Sequence, residues 1–210
     1  MSAGVPGVLP DANIFYSRTL RDWICLFSNR SGAPLFHLYW TEDVLAELLY
    51  HLRKRYPEHS DEQIGGVRDR IIQVAPHGRI AGYEITSDLK YTDKYDAHLH
   101  AAAEHGMIQY VITHDNDFHK FAVSNDEHIG YEVYTADEFF MLVHRDSIAT
   151  VREALLAQIA YHRARGKPFN LAARLDTAGA PNFAAVIRDM MQTRAVMNAL
   201  EDAHRASSEA

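Results

Sequence analysis

Residues 91–118, YTDKYDAHLHAAAEHGMIQYVITHDNDF, are the stretch from which the fold is read. Asp96 stands where a helix would begin, and Leu99, Ala102 and Ala103 follow at helical spacing. His105-Gly106 ends that helix, with glycine just past its last turn. The run MIQYVIT at 107–113 is rich in apolar, β-branched and aromatic side chains, and HDND bounds it. Such a run between two helices predicts a parallel strand buried on both faces. HDND at 114–117 then lies at the carboxyl end of a strand, the edge where open α/β sheets build their sites.

Composition sets the frame around that stretch. A chain of 210 residues suggests one domain with an extension. An apolar fraction of 47% supports a sizeable core. No apolar run approaches the roughly 20 residues that span a membrane. MSAGVPGVLPD at the start has no basic region followed by a long apolar stretch. The single Cys25 excludes an intramolecular disulfide framework and suits a reducing compartment. The expectation is a cytoplasmic protein. The formal net charge of −7 argues against a chain whose main task is coating nucleic acid. It is compatible with an enzyme that acts on nucleic acid, because a divalent-metal site itself concentrates carboxylates.

Outward from the central stretch, residues 7–11 read as a short strand that reaches Asp11, with Pro10 marking its end. Leu20, Trp23, Ile24 and Phe27 predict a helix, and 34–40 a second strand with Leu35, His37 and Tyr39 on one face. Thr41 opens a helix striped by Val44, Leu45, Leu48, Leu49 and Leu52, with Glu47 at the edge of the stripe near His51. Ser60 and Gln63 form a capping-box pattern before a helix running towards Val74, and 79–86 is an irregular or strand-like connection. Residues 131–134 read as a last strand, with Thr135 and Glu138 as a second capping box. The order is that of an α/β fold, a mostly parallel sheet with helices on both faces. After about Asp146 the character changes. Ile148, Val151, Leu155, Ile159 and His162 predict one amphipathic helix, 163–168 breaks it, and the segment to Pro181 is turn-rich. Phe183, Val186, Ile187, Met190, Arg194, Met197 and Leu200 predict another. The division expected is 1–146 for the α/β domain and 147–210 for a helical extension.

Acids stand at element ends: Asp11 after the first strand, Glu47 beside a helix stripe, Asp96 at a helix start, Asp115 and Asp117 after the buried strand. In a parallel sheet Asp11 and Asp115 would close neighbouring strands on one edge. Carboxylates gathered there repel one another. A hard cation such as Mg²⁺ or Mn²⁺ relieves that repulsion, activates water and stabilises a phosphoryl transition state. Each acid also has a plain structural reading: a first-turn charge for Asp96, an Asx turn for Asp115 and Asp117, a solvated flank for Glu47. Glu42 is an alternative to Glu47, although it equally suits a first-turn dipole role. Zinc is poorly supported, since His98 and His100 do not share a helix face and no cysteine stands near them. His100, one turn beyond Asp96, reads as a supporting group behind the acids. A haloacid-dehalogenase-type phosphatase is set aside, because that chemistry wants a second Asp where Asn13 stands. The basic runs at 53–55 and 163–167 suit a phosphate backbone or, more simply, solvated faces.

PDANI at 10–14, VLAEL at 44–48, DAHLHAAA at 96–103 and ITHDNDF at 112–118, in this order, resemble the signature of PIN-domain ribonucleases. The branch they are most similar to is the VapC-like toxins of toxin–antitoxin pairs, over roughly residues 7–145. The resemblance implies a three-layer PIN-like fold and a metal-dependent endoribonuclease. It also implies Asp11, Glu47, Asp96 and Asp115 as the acidic quartet, with Asp11, Asp96 and Asp115 on Mg²⁺ or Mn²⁺. Asp117 becomes an auxiliary acid, and Asn13 and Thr113 polar supports. An RNA substrate, a cognate antitoxin and a homodimer are implied as partners, and no membrane. The chain departs from the pattern at Tyr95, where related sequences often carry a further Asp that Asp93 could replace, and in its length beyond 147. The competing expectation is a catalytically silent PIN-like binding module acting through the helical extension.

Overall fold

A computed structural model describes residues 4–29, 31–85, 97–166, 169–193 and 196. Asp96, Tyr95 and Asp93 lie outside the described residues, as do Arg194, Met197 and Leu200. The chain divides into two compact units, Met1–Ala136 and Asp137–Ala210.

The first unit is built on four parallel strands: β1 (Gly7–Pro10), β2 (His37–Leu38), β3 (Tyr110–Ile112) and β4 (Glu132–Tyr134), in the spatial order β2-β1-β3-β4. The fold is α/β with a wholly parallel sheet, as the sequence predicts. Parallel pairing demands a crossover between strands, and helices supply each one. They are α1 (Ala12–Tyr16), α2 (Arg18–Ser28), α3 (Glu42–Arg55), α4 (Asp61–Val74), α5 (Ala97–His105) and α6 (Asn116–Ser124). The two central strands are buried at Val8, Leu9, Val111 and Ile112, each wholly inaccessible. Their register, Leu9 beside Val111 and Pro10 beside Ile112, brings both chains out at the same edge. Phe15, Trp23, Ile24, Phe27, Val44, Leu45 and Leu48 fill the helix layers. Burial of each such side chain contributes about 1.5–3 kcal/mol. The capping box of Ser60 and Gln63 is complete, each side chain meeting the other's backbone N–H. Thr41 caps α3 by accepting from the Val44 amide at 3.0 Å.

β3 is shorter than the run 107–113, for a local reason. Met107 and Ile108 are used to close α5: Met107 N–H donates to the Glu104 carbonyl and Ile108 N–H to that of Ala103. The left-handed residue in this closure is Met107, with φ of 47°, and not Gly106. Gly106 is needed because a Cβ there would lie 2.8 Å from Ile80 Cδ1 and 3.1 Å from the Ala102 carbonyl oxygen. The second strand is likewise short. Beyond Leu38, Trp40 pairs in an isolated parallel bridge with Arg79, and its indole N–H donates to the Ala75 carbonyl at 2.9 Å.

Among the described residues, the second unit comprises α7 (Ala136–Asp146) from Asp137 onward, α8 (Ile148–Ala164), α9 (Leu171–Thr177) and α10 (Pro181–Met191). The sequence places α7 with the α/β domain, whereas its residues group with the later helices. Phe140 meets Phe183 edge to face at 5.2 Å. Asp137 supplies the missing cap of α10, accepting from Asn182 N–H at 3.2 Å, Asn182 Nδ2 at 2.7 Å and Phe183 N–H at 2.9 Å. α9 falls where the sequence predicts turns. Its start is capped by Asn170, whose side chain accepts from Ala173 N–H at 3.0 Å. Among the described residues no helix is long and apolar enough to cross a membrane.

Candidate active site at the carboxyl edge of the sheet

Asp11 leaves the end of β1 and caps α1, its Oδ1 accepting from Ala12 N–H at 2.6 Å. Its Oδ2 accepts from Thr113 Oγ1 at 2.7 Å and from Asn13 Nδ2. Thr113 follows β3 directly, so one hydroxyl ties together the ends of the two central strands. Asn13 Nδ2 also donates to Thr113 Oγ1 at 2.9 Å, and Asn13 Oδ1 accepts from His114 N–H at 3.2 Å. The two residues expected as polar supports therefore hold the Asp11 carboxyl in place.

Part of Asp11 reaches solvent at the sheet edge, yet protein crowds its carboxyl group on nearly every side. Burial is the main reason its pKa is raised from 3.8 to about 6. The negative charge of Glu47 raises it further, while the Thr113 hydroxyl, the Ala12 amide and His98 act in the opposite direction. Glu47 thus lies within electrostatic reach of Asp11 on α3, half-buried, with Oε1 3.5 Å from His51 Nε2. Glu42, the alternative acid, is engaged elsewhere, 3.2 Å from Arg68 Nη2 and 3.4 Å from Arg79 Nε.

Asp115 stands two residues beyond Thr113, and its amide donates to Thr113 Oγ1 at 3.0 Å. Its Oδ1 caps α6, accepting from Asp117 N–H at 2.7 Å and Phe118 N–H at 3.2 Å. Asp117 lies 2.7 Å from Lys120 Nζ on the same helix. The edge therefore brings Asp11, Asn13, Thr113 and Asp115 into one hydrogen-bonded cluster, with Glu47 coupled to Asp11 through space. Asp117 is held by its own lysine. Asp96 precedes α5 directly and is outside the described residues, but His98 in the first turn of α5 acts on Asp11.

Sequence weighs His98 only as a zinc ligand, although its position two after Asp96 is a signal that it lies near the acids. His100 has partners on the other side of α5 from His98. It is buried, with Nδ1 2.8 Å from the Tyr131 hydroxyl and its ring edge-on to Phe121, and desolvation lowers its pKa. Residues 98 and 100 diverge because two steps along a helix turn the side chain by about 200°. His119 Nε2 meets the Thr113 carbonyl at 3.0 Å, and His114 Nε2 accepts from Ala136 N–H at 3.3 Å, so both bind backbone. Burial pushes the Cys25 thiol up to about 12, which keeps it protonated and unfit as a nucleophile.

Among the described residues, no Lys or Arg forms an ion pair with Asp11, Glu47 or Asp115. Nor do three or more His, Cys, Asp or Glu close into a metal-sized group among them. The donors held in the hydrogen-bonded cluster are nonetheless mainly oxygen, and Asp11 and Glu47 are carboxylates that repel. That set fits a hard divalent cation better than zinc or copper. Comparison of the chain with protein-family models, with curated proteins and with solved structures finds no match.

Proposed function

We propose that this chain is a metal-dependent endoribonuclease of the toxin type, opposed in its cell by a protein antitoxin and acting as a homodimer. The observation that carries the reading is the Asp11 carboxyl. It is fixed by three donors, crowded by protein and opposed by Glu47, with no Lys or Arg paired to it among the described residues. Other acids of the unit, Glu42, Asp61 and Asp117, have Arg or Lys partners. Leaving a crowded carboxylate without such a partner costs stability, and a cation-binding role gives a reason for it.

On this reading Asp11, Asp115 and Asp96 hold Mg²⁺ or Mn²⁺. When bound, the ion supplies an acidified water and positive charge for the phosphate oxygens. The chain's own residues do the rest. Asn13 and Thr113 fix the Asp11 carboxyl, and above pH 6 that group is ionised. Glu47, steadied by His51, serves as the acid that shares the metal or orients the attacking water.

The test is cleavage of tRNA and rRNA fragments by the purified full chain, with Mn²⁺, with Mg²⁺ and with chelator. Wild type, Asp11→Asn, Asp96→Asn, Glu47→Gln and Glu42→Gln are compared. The expected result is metal-dependent cleavage lost in the first three variants and retained in Glu42→Gln. Cleavage that survives Asp11→Asn and Asp96→Asn overturns the assignment. Silence throughout, with no thermal shift on adding Mn²⁺, favours a PIN-like binding module.

A further inference from the structure

A group of aromatic and basic side chains leads away from Glu47. Tyr16 closes α1, the five-residue helix that Asp11 caps, so at 1.5 Å per residue it lies about 7 Å along from the acid. Its ring meets His51 on α3 at 6.2 Å between centroids, with the planes at 73°. Tyr50 meets the same histidine at 5.3 Å, again at 73°. His51 is in turn held by Glu47 at 3.5 Å. Both tyrosine–histidine contacts are edge-to-face, so neither is a parallel stack. Tyr50 is 63% exposed, on the side of α3 away from the buried Val44, Leu45, Leu48 and Leu52.

The same face of α3 continues into positive charge. Lys54 and Arg55 stand four residues after Tyr50 and His51, and residues four apart on a helix are neighbours. Both are exposed, whereas Arg53 beside them is tied to the His59 carbonyl at 2.7 Å and to Asp61. The order along the surface is acid, aromatic, cation, over about 10 Å of helix between residues 47 and 54. Lys54 and Arg55 form no ion pair among the described residues, so this end of α3 offers uncompensated positive charge to a polyanion. Exposed rings followed by cations match the alternation of base and phosphate in a single strand of nucleic acid.

We infer that Tyr16, Tyr50, His51, Lys54 and Arg55 form a subsite for single-stranded RNA, in which an unpaired base stacks on Tyr50 and the next phosphate meets Lys54 and Arg55. The inference rests on the nuclease reading for its placement, since the subsite adjoins Glu47. A duplex keeps its bases stacked on one another and offers none to the ring, so the subsite selects unpaired RNA.

The experiment measures binding apart from cleavage. Fluorescence anisotropy follows a labelled 12-nucleotide single strand, and the same strand in a duplex, added to the full chain in chelator. The variants are Tyr50→Ala, Tyr50→Phe and Lys54→Ala. Tyr50→Ala is expected to weaken single-strand binding about five- to a hundredfold and Tyr50→Phe to restore it, with duplex binding unchanged. Lys54→Ala is expected to reduce the slope of log affinity against log salt by about 0.7. Equal single-strand affinity for wild type and Tyr50→Ala overturns the subsite, as does equal loss for strand and duplex, or no binding by wild type. Loss of self-association in Tyr50→Ala without loss of RNA binding also overturns it, in favour of a protein interface. Tyr50-dependent binding with no metal-dependent cleavage would keep the subsite and remove the nuclease. Metal-dependent cleavage with no Tyr50 effect would do the reverse.

Discussion

Asp11→Asn, compared with wild type across pH in the presence of chelator, tests whether the Asp11 carboxyl is as enclosed as the structure has it. Its folded pKa is about 6, raised from an ordinary 3.8. The folded protein therefore binds this proton at a higher pH than the unfolded chain does, and protonation stabilises the fold. The contribution is absent above about pH 7, grows as the pH falls through 6, and levels off below 3.8. Proton linkage with these two values gives about 1.4 kcal/mol between pH 8 and pH 5. Solvent reaching the sheet edge brings that nearer to about 1 kcal/mol. Asparagine does not titrate. Its NH₂ also opposes that of Asn13, a cost that is equal at both pH values and cancels in the comparison. Urea unfolding of both proteins at pH 8, 7, 6 and 5 should show wild type gaining about 1–1.4 kcal/mol on the variant as the pH falls. A difference that stays constant within about 0.3 kcal/mol refutes the enclosure argument. A wild type that loses ground towards pH 5 would mean a cation is paired with Asp11.

Other perturbations read other parts of the structure. Asp137→Ala leaves the amides of Asn182 and Phe183 without their acceptor and should cost about 2–3 kcal/mol in denaturant unfolding, with Asp137→Asn recovering part of it. Met107→Gly should stabilise by about 0.5–1 kcal/mol by relieving a left-handed backbone, while Gly106→Ala should destabilise by about 1–3 kcal/mol against Ile80 and the Ala102 carbonyl. Opposite signs at adjacent positions are the signature, and equal signs would refute the closure described for α5. His98→Gln should raise the Asp11 titration midpoint further, because His98 opposes the shift. Carboxyl ¹³C resonances followed through pH would reveal it, and an unmoved midpoint would take His98 away from the site.

Much of the first unit was legible in sequence because its periodicities are strong. The alternation of apolar runs with capped amphipathic helices specifies a parallel sheet, and Asp11 and Thr113 fall on one edge by topology alone. Lengths were less legible: MIQYVIT reads as one strand, but its first two residues satisfy the end of α5 instead. Sequence favours Glu47 over Glu42 only by the VLAEL resemblance and by the first-turn position of Glu42, since both are acids on one helix. Arg68 and Arg79 give Glu42 guanidinium partners that Glu47 lacks among the described residues, and those partners come from α4 and the loop that follows it. His98 and His100 could not be separated without the helix phase. α9 escaped because a seven-residue helix with Gly179 close behind it looks like a turn.

The helix α10 starts with Pro181 after Ala180, which has no polar side chain to cap it, and Asn182 finds its acceptor 45 positions earlier at Asp137. That loan fixes where the chain can be divided. A fragment ending at residue 146, where the sequence changes character, would retain Asp137 stripped of its donors and Phe140 stripped of Phe183. It would carry an orphaned buried acid beside a bare aromatic face, a recipe for aggregation that could be mistaken for an inherently unstable α/β domain. Division ahead of Asp137 leaves lender and borrower on the same piece.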